Sequence, residues 1–417
     1  MSTQVQRSHL TPCPLSEGEG GSSPLSFRGG AGGGVRNMRY FAALLALAVL
    51  WLAPSPAEAA MTIGTDMMVS VFDDDRTQSA SGTQVTAPFT FTYDSERWSL
   101  ALRGSFSSLA IDLPDSDAKD VGALTDTAVS AAYRPAREFF GLKTSFGVDC
   151  NLPSGKTRMT NQEYALFNAA NLDMLTVSKY GEGFNLSGSV GLAKEFGFGV
   201  AGVNGTYLYD GQYDPTSEVP NDERKPGDRL MVNTFLQAKL SQTWALISTV
   251  DYLHQFVEQI NGADASQQGD AWTLSGIAQY KGARWNFSGG LMYAFTLKNQ
   301  EFAGGALATE PENSNSPSVL LSVNAAYVAT PALTVAVSGS FEQGQASDRR
   351  DADSGLPYTG DSRRYNAALS GQYRLGKKWL LTMGVRGALL DQDANRSQTE
   401  GANYWSLMPQ VGMLYSF

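Results

Sequence analysis

The chain has 417 residues, with 31 Lys and Arg against 41 Asp and Glu and a formal net charge of -10. Charged residues make up only 17% of it, below the roughly 25% usual in soluble proteins, and Gly is abundant at 43. Two Cys and two His exclude a disulfide scaffold, a Cys/His zinc centre and haem ligation by His pairs, and the acidic balance argues against a nucleic-acid partner.

Residues 1–37 are rich in Gly, Ser and Pro and lack apolar periodicity, so they read as a disordered leader or as translation from an upstream start, with Met38 as the functional one. From Met38 the sequence runs MRYFAALLALAVLWLAPSPAEAA. Arg39 is a charged start, Tyr40–Leu52 an unbroken apolar run, and Ala57-Glu58-Ala59 a small-x-small cleavage site. That order is a signal peptide over 38–59, too short for a spanning helix, which needs about 20 residues. Its removal takes four Arg and three Glu from the totals and leaves 27 basic and 38 acidic residues, net -11, on 60–417. The exported part keeps one His, His254, and one Cys, Cys150.

The exported part alternates with period two, the signature of strands. In 140–151, Phe140, Leu142, Thr144, Phe146, Val148 and Cys150 oppose Gly141, Lys143, Ser145, Gly147, Asp149 and Asn151. The runs last about 10–13 residues, longer than the 5–6 usual in sandwiches and enough to cross a bilayer at a tilt. Their polar faces carry Ser, Thr, Gly, Asn, Gln and Ala more than Lys or Glu, which suits a crowded, watery interior. Sixteen such segments are expected: 62–72, 83–94, 97–110, 123–134, 139–151, 183–193, 198–210, 229–240, 243–255, 270–280, 284–297, 317–328, 332–342, 363–374, 378–390 and 403–417. Fourteen to eighteen fit the pattern, since LDMLTVSKY at 172–180 reads as strand or loop. The expected fold is all-β, a transmembrane antiparallel up-and-down barrel; one of about sixteen strands encloses an aqueous channel.

The connections alternate in length. Tyr93-DSER-Trp98, Tyr133-RPARE-Phe139, Tyr280-KGAR-Trp285 and Tyr373-RLGKK-Trp379 repeat one design, an aromatic on each side of a short polar turn. Tyr and Trp favour the membrane interface, so these turns define a girdle. The other connections are long and polar, among them 152–182, 212–228, 257–269 and 298–315. Short periplasmic turns and long external loops are the outer-membrane pattern.

The ending LMPQVGMLYSF, with Tyr415 and Phe417 on the apolar parity, resembles the C-terminal strand of Gram-negative outer-membrane proteins. That resemblance implies that the barrel assembly machinery reads Tyr415 and Phe417, and that outer-membrane lipid and lipopolysaccharide surround the protein. The segment GLKTSFGVDCNLPSGK, with its Leu152-Pro153-Ser154-Gly155 turn, is similar to a family of exported barrels described as transporters in phenol meta-pathway degradation. It implies passage of small aromatic or hydrophobic compounds. The long-chain fatty-acid transporters share that substrate class, but here the exported chain enters a strand at once and leaves no room for their N-terminal plug.

Candidate pore residues follow from parity and position. Arg103, Lys143, Asp251 and Arg386 lie on polar faces away from strand ends; Asp149 and Lys239 lie nearer the rims. They either tune ion passage or pair across the lumen. Their signs are mixed, so strong selectivity is not expected. The long connection 152–182 holds a capping-box pattern, Thr160-x-x-Glu163. It either folds into the barrel as a constriction, presenting Lys156, Arg158 and Glu163 to the pore, or stays outside with one helical turn. His254 shares parity with Trp244 and Val250, faces lipid and has no evident partner, which argues against an enzyme. Acidic runs such as Asp73-Asp74-Asp75 read as solvated loop tips or as sites for cations that bridge lipopolysaccharide. No motif calls for a metal or cofactor. The expected function is an outer-membrane channel for passive diffusion of small solutes; the alternative is a structural barrel whose acidic loops bind a partner or lipopolysaccharide.

Overall fold

The computed structural model describes residues 60–75, 81–112, 120–163, 166, 175–215, 217–218, 223–352, 354–396 and 400–417. The leader and signal-peptide segments, 1–59, lie outside these residues.

Sixteen strands close into one antiparallel barrel. They are β1 (Ala60–Asp74), β2 (Ser81–Asp94), β3 (Trp98–Asp112), β4 in two parts (Asp120–Leu124 and Thr127–Tyr133), β5 (Lys143–Leu152), β6 (Asn185–Phe196), β7 (Gly199–Asp210) and β8 (Arg229–Lys239). Then follow β9 (Trp244–Gln255), β10 (Ala271–Lys281), β11 (Trp285–Thr296), β12 (Ser318–Val328), β13 (Leu333–Gly344), β14 (Ser362–Leu375), β15 (Trp379–Gln392) and β16 (Ala402–Ser416). Each pairs with its neighbours in sequence, and β1 pairs with β16 from Thr62↔Ser416 to Asp74↔Tyr404, which removes both sheet edges.

Most strands shift by one to three residues from the expected boundaries, and two differ in kind. The fifth strand begins at Lys143 rather than 139, because Phe140 (φ 53°) and Gly141 (φ 71°) turn the chain in the left-handed region. The fourth breaks at Thr125–Asp126, where the Asp126 amide leaves the ladder and donates to the Tyr180 carbonyl at 2.9 Å. Two prolines mark further irregularities. Pro88 and Pro409 carry no N–H, and the β1 ladder lapses beside each, at Asp66–Met67 toward β2 and at Val69–Ser70 toward β16.

The alternation sorts as a membrane requires. Val323, Leu389, Val411 and Met383 point outward and are 57–65% exposed. Ring pairs band the outer surface at both ends. At the short-turn end Trp98–Tyr133, Trp285–Tyr327 and Trp379–Tyr415 have centroids 4.5–4.7 Å apart. These pairs bridge neighbouring strands rather than the two sides of one turn. At the other end Tyr252 meets Trp272 at 4.8 Å and Phe341 meets Tyr365 at 5.1 Å. Trp244 and Tyr252 mark both ends of β9; eight residues at roughly 3.3 Å each and a tilt near 40° give an apolar band about 20 Å tall, close to the ~25 Å of outer-membrane barrels. A closed sheet with this exterior pairs its backbone groups strand to strand in hydrocarbon, apart from the lapses beside Pro88 and Pro409 and at the β4 break. The protein is a bacterial outer-membrane barrel, its short turns periplasmic.

The external connections hold more structure than their polar composition indicates. Arg224–Lys225, Glu258–Ile260, Ala263–Gln267, Gln300–Ala303 and Ala306–Thr309 form a second sheet above the β7–β12 side. Arg349 braces it, reaching Glu301 Oε1 at 2.6 Å and Glu310 Oε2 at 2.9 Å, and the Tyr358 ring lies between the Arg349 and Arg396 guanidinium groups at 4.3 and 3.9 Å.

Candidate functional site

The lumen begins at the connection between β5 and β6. This loop lies inside the outer mouth of the barrel. Met159, Leu166, Leu175 and Tyr180 of the loop are buried against Phe72, Leu109, Ile111, Val121, Leu390 and Tyr404, all on inward-facing parities of β1, β3, β4, β15 and β16. Leu109, Leu166 and Tyr180 are fully covered. Each such side chain contributes about 1.5–3 kcal/mol of transfer free energy, so the loop is a packed element rather than a strand of chain in water.

Polar contacts fix its ends. The Asp126 carboxylate, freed by the β4 break, accepts hydrogen bonds from the Gly155 amide (2.8 Å), the Glu182 amide (2.7 Å) and Asn151 Nδ2 (3.0 Å). One side chain thus holds both the exit and the return of the loop. Gln84, inward on β2, accepts from the amides of Thr176 and Val177 and donates to the Val177 carbonyl. The Tyr180 hydroxyl donates to the Val121 carbonyl at 3.0 Å. Gly155 of the Leu-Pro-Ser-Gly turn is required: a Cβ there would lie 1.9 Å from the Tyr180 carbonyl oxygen and 2.6 Å from the Asp126 nitrogen, both backbone.

The capping box forms as its spacing implies. The Glu163 amide donates to Thr160 Oγ1 at 3.1 Å and the Thr160 amide to Glu163 Oε2 at 3.0 Å. The three charged loop candidates are engaged: Lys156 pairs with Glu163, and Arg158 Nε lies 2.6 Å from Asp214 Oδ2. Of LDMLTVSKY, residues 175–180 are irregular loop, and the rest lies outside the described residues.

Below the loop the wall is mixed. Lys143 pairs with Glu195 at 2.5 Å at the periplasmic rim. Asp149 accepts from Ser187 Oγ at 3.1 Å. Asp251 accepts from Asn233 and from Thr249 Oγ1 at 3.2 Å. Arg386 donates to Asn366 Oδ1 at 3.1 Å. Arg103 and Lys239 are exposed on inward parities and have no carboxylate partner among the described residues. Sequence reasoning missed Asp66, inward on β1: Thr382 donates to it at 3.2 Å, and it overhangs Gly412, where a Cβ would lie 1.6 Å from its Oδ1. Nothing in the sequence marks a strand break at Asp126.

His254 faces outward, as its parity indicates, but it has a partner. Its Nδ1 lies 2.7 Å from Asp270 Oδ1, Tyr252 donates to the same carboxylate at 3.1 Å, and the ring stands edge-on to Phe256. This group sits on the lipid side of the outer rim, away from the lumen. Among the described residues no cluster of His, Cys, Asp and Glu is arranged to hold a metal ion.

The model of the family described as "putative MetA-pathway of phenol degradation" matches residues 268–405, which include β10 to β15. The family resemblance read from the sequence is met over that segment. No curated protein sequence matches the chain. Among solved structures, Pseudomonas aeruginosa OccK7 (OpdD) is 11% identical over 86% of this chain and 99% of its own, with a TM-score of 0.44. Acinetobacter baumannii OccAB4 is 11% identical over 87% and 100%, TM-score 0.43, and the Pseudomonas putida toluene transporter TodX is 11% identical over 87% and 90%, TM-score 0.37.

Proposed function

We propose that this barrel is an outer-membrane channel that admits small aromatic or hydrophobic compounds by passive diffusion. The observation that carries the reading is the lumen wall of β8–β12. It presents Phe235, Ile247, Ile277, Met292 and Leu320 inward among Ser and Thr, an interior that wets and also accepts an apolar ring. The phenol-degradation family match lies over most of this wall. The packed loop narrows the mouth on the β1–β4 and β15–β16 side and also meets the β7–β8 connection, through Arg158 on Asp214 and the Met159 amide on the Pro215 carbonyl. No step calls for catalysis: the one His of the exported part is turned to lipid with Asp270. The reading includes assembly through Tyr415 and Phe417, whose rings meet edge-on at 4.9 Å at the periplasmic end of the outer surface.

Reconstitution into planar bilayers and into swelling liposomes tests it. Discrete conductance steps are expected, together with faster swelling in phenol than in a sugar of similar size. A barrel that inserts, shows heat-modifiable mobility and yet passes neither ions nor phenol rules the reading out.

A further inference from the structure

The chain segregates its charge along the barrel axis. Residues 94–97, 134–143, 194–198, 239–243, 281–284, 329–332 and 374–378 make up the periplasmic rim and hold eleven Lys and Arg against four Asp and Glu, net +7. The exported part as a whole is net -11, so its remainder keeps 16 basic and 34 acidic residues, net -18. These are formal charges, which hydrogen bonding does not remove.

The excess is uneven around the ring. The four acidic residues of the rim, Asp94, Glu96, Glu138 and Glu195, all lie between β2 and β7. From β10 to β15 the rim carries Lys281, Arg284, Arg374, Lys377 and Lys378 and no carboxylate, and the turn between them, 329–332, is uncharged. All five cations are exposed, and none has a carboxylate partner among the described residues.

This arc sits where the barrel leaves the bilayer. Beside it lie the girdle pairs Trp285–Tyr327 and Trp379–Tyr415. Lys378 shows which side the arc serves. Its ammonium lies 5.5 Å from the centroid of the Tyr415 ring and donates to the Tyr415 hydroxyl at 3.4 Å. Tyr415 faces lipid, so this charge stands at headgroup level on the lipid side, not over the exit of the lumen. Arg284 and Lys377 lie in the same short turns, with side chains long enough to reach that level. Lys281 and Arg374, on inward parities, strengthen the field from behind.

Charge and place together select the occupant. A zwitterionic headgroup brings its own cation, which the arc repels. An anionic one gains about fivefold in binding for each Lys or Arg near the surface. We infer that the periplasmic arc from β10 to β15 is a binding surface for anionic phospholipid headgroups of the inner leaflet. Arg284 at one turn and Lys377 with Lys378 at the other meet the phosphates. The two turns are four strands apart, roughly 20 Å at about 4.8 Å per strand, so they engage separate headgroups. The inference concerns the outer wall and stands independently of the channel reading.

The test uses the full barrel refolded into phosphatidylcholine vesicles that hold phosphatidylglycerol as a minor component. Spin-labelled forms of the two lipids are compared by electron paramagnetic resonance, which reads the fraction of each immobilised at the protein surface. Wild type is expected to favour phosphatidylglycerol at least about threefold at low salt and to lose most of that preference in ~1 M sodium chloride, where the screening length falls to about 3 Å. The variant Arg284→Gln/Lys377→Gln/Lys378→Gln is expected to bring the ratio toward one, with heat-modifiable mobility retained as the sign of a folded barrel. Lys378→Gln alone is expected to fall between, and serves where the triple variant does not fold. Arg97→Gln/Arg137→Gln, in turns that also carry Glu96 and Glu138, is expected to leave the ratio unchanged. Equal immobilisation of both lipids by a folded wild-type barrel overturns the inference, and so does a preference that the arc variants keep. A loss in the Arg97/Arg137 variant as large as in the triple variant overturns the assignment to this arc. Binding of soluble poly-glutamate to a nanodisc-held barrel whose two lipids stay equal assigns the arc to an acidic protein instead and overturns the lipid assignment.

Discussion

Replacing Asp126 with Ala removes the single acceptor shared by both ends of the inserted loop. Three hydrogen bonds disappear, to the Gly155 and Glu182 amides and to Asn151. Bonds to a charged acceptor are worth about 1.5–3 kcal/mol each; the low end applies, because the desolvation cost of the half-buried carboxylate vanishes with it. A total near 4 kcal/mol shifts the docked-to-undocked equilibrium of the loop ends by about a thousandfold. The apolar contacts of Met159, Leu166, Leu175 and Tyr180 remain, so the loop frays at its base before it leaves the mouth. The expected result is excess current noise in single-channel records and a new protease site within 153–184, with no change in the heat needed to unfold the barrel. Asp126→Asn, which keeps one acceptor oxygen, is expected to fall between. Gly155→Ala is expected to match the Ala variant by another route, since its Cβ collides with backbone on both sides. Quiet records and an unaltered cleavage pattern in Asp126→Ala refute the idea that this carboxylate holds the loop.

Leu166→Ala deletes a fully covered side chain of the loop cluster and is expected to destabilise docking by about 2–5 kcal/mol, read as loop proteolysis with the strands still protected. Trp285→Ala removes the ring that meets Tyr327 at 4.7 Å and stacks on Phe287 at 5.6 Å; a loss of about 1–3 kcal/mol is expected in denaturant unfolding from vesicles. Acid is expected to loosen the external sheet. Burial raises the Glu310 carboxyl, but hydrogen bonds from Ser314, Asn299 and Arg349 outweigh it and hold the group below the usual glutamate range. A depressed folded pKa gives stability that is complete above the unfolded value of about 4.3 and lost as pH falls through the folded one. Proteolysis of 298–315 is therefore expected to be slow at neutral pH and fast below pH ~4, and Glu310→Gln is expected to make it fast at both.

Strands were legible because lipid enforces their pattern. Each residue that faces hydrocarbon must be apolar, so period-two alternation is clean over β11, β14 and β16, and their expected ends fall within two residues of the observed ones. Where the constraint lapses, so does the signal. Phe139 to Leu142 continues the alternation of β5, yet the positive φ at Phe140 and Gly141 makes it a turn; backbone geometry of that kind has no hydrophobic period. The external sheet was read as loop because both its faces meet water or other loops, which leaves no alternation to find. The pore candidates were found by parity, but their state was not. Parity places Asp251 and Lys239 on the same inner wall, and only the partners show that Asn233 and Thr249 hold one while the other stands free.

That difference also explains why the lumen tolerates so many charges. An ion pair across a wide aqueous lumen gains little, because water screens it; a carboxylate bonded to Ser, Thr or Asn on the adjacent strand keeps its donors at fixed distance without narrowing the channel. Strand pairing supplies those donors directly: Asp149 lies opposite Ser187 in the register, and Asp251 lies opposite Asn233. The small polar residues that lower the chain's charge content thus serve as acceptors' partners as well as lining. Where the loop enters, the same device is turned to a backbone: Asp126 is offered amides instead of hydroxyls, because the β4 break swings it toward the returning chain. Local pairing satisfies Asp149 and Asp251 on the wall itself, whereas Lys239 and Lys281 near the periplasmic exit have no carboxylate partner among the described residues.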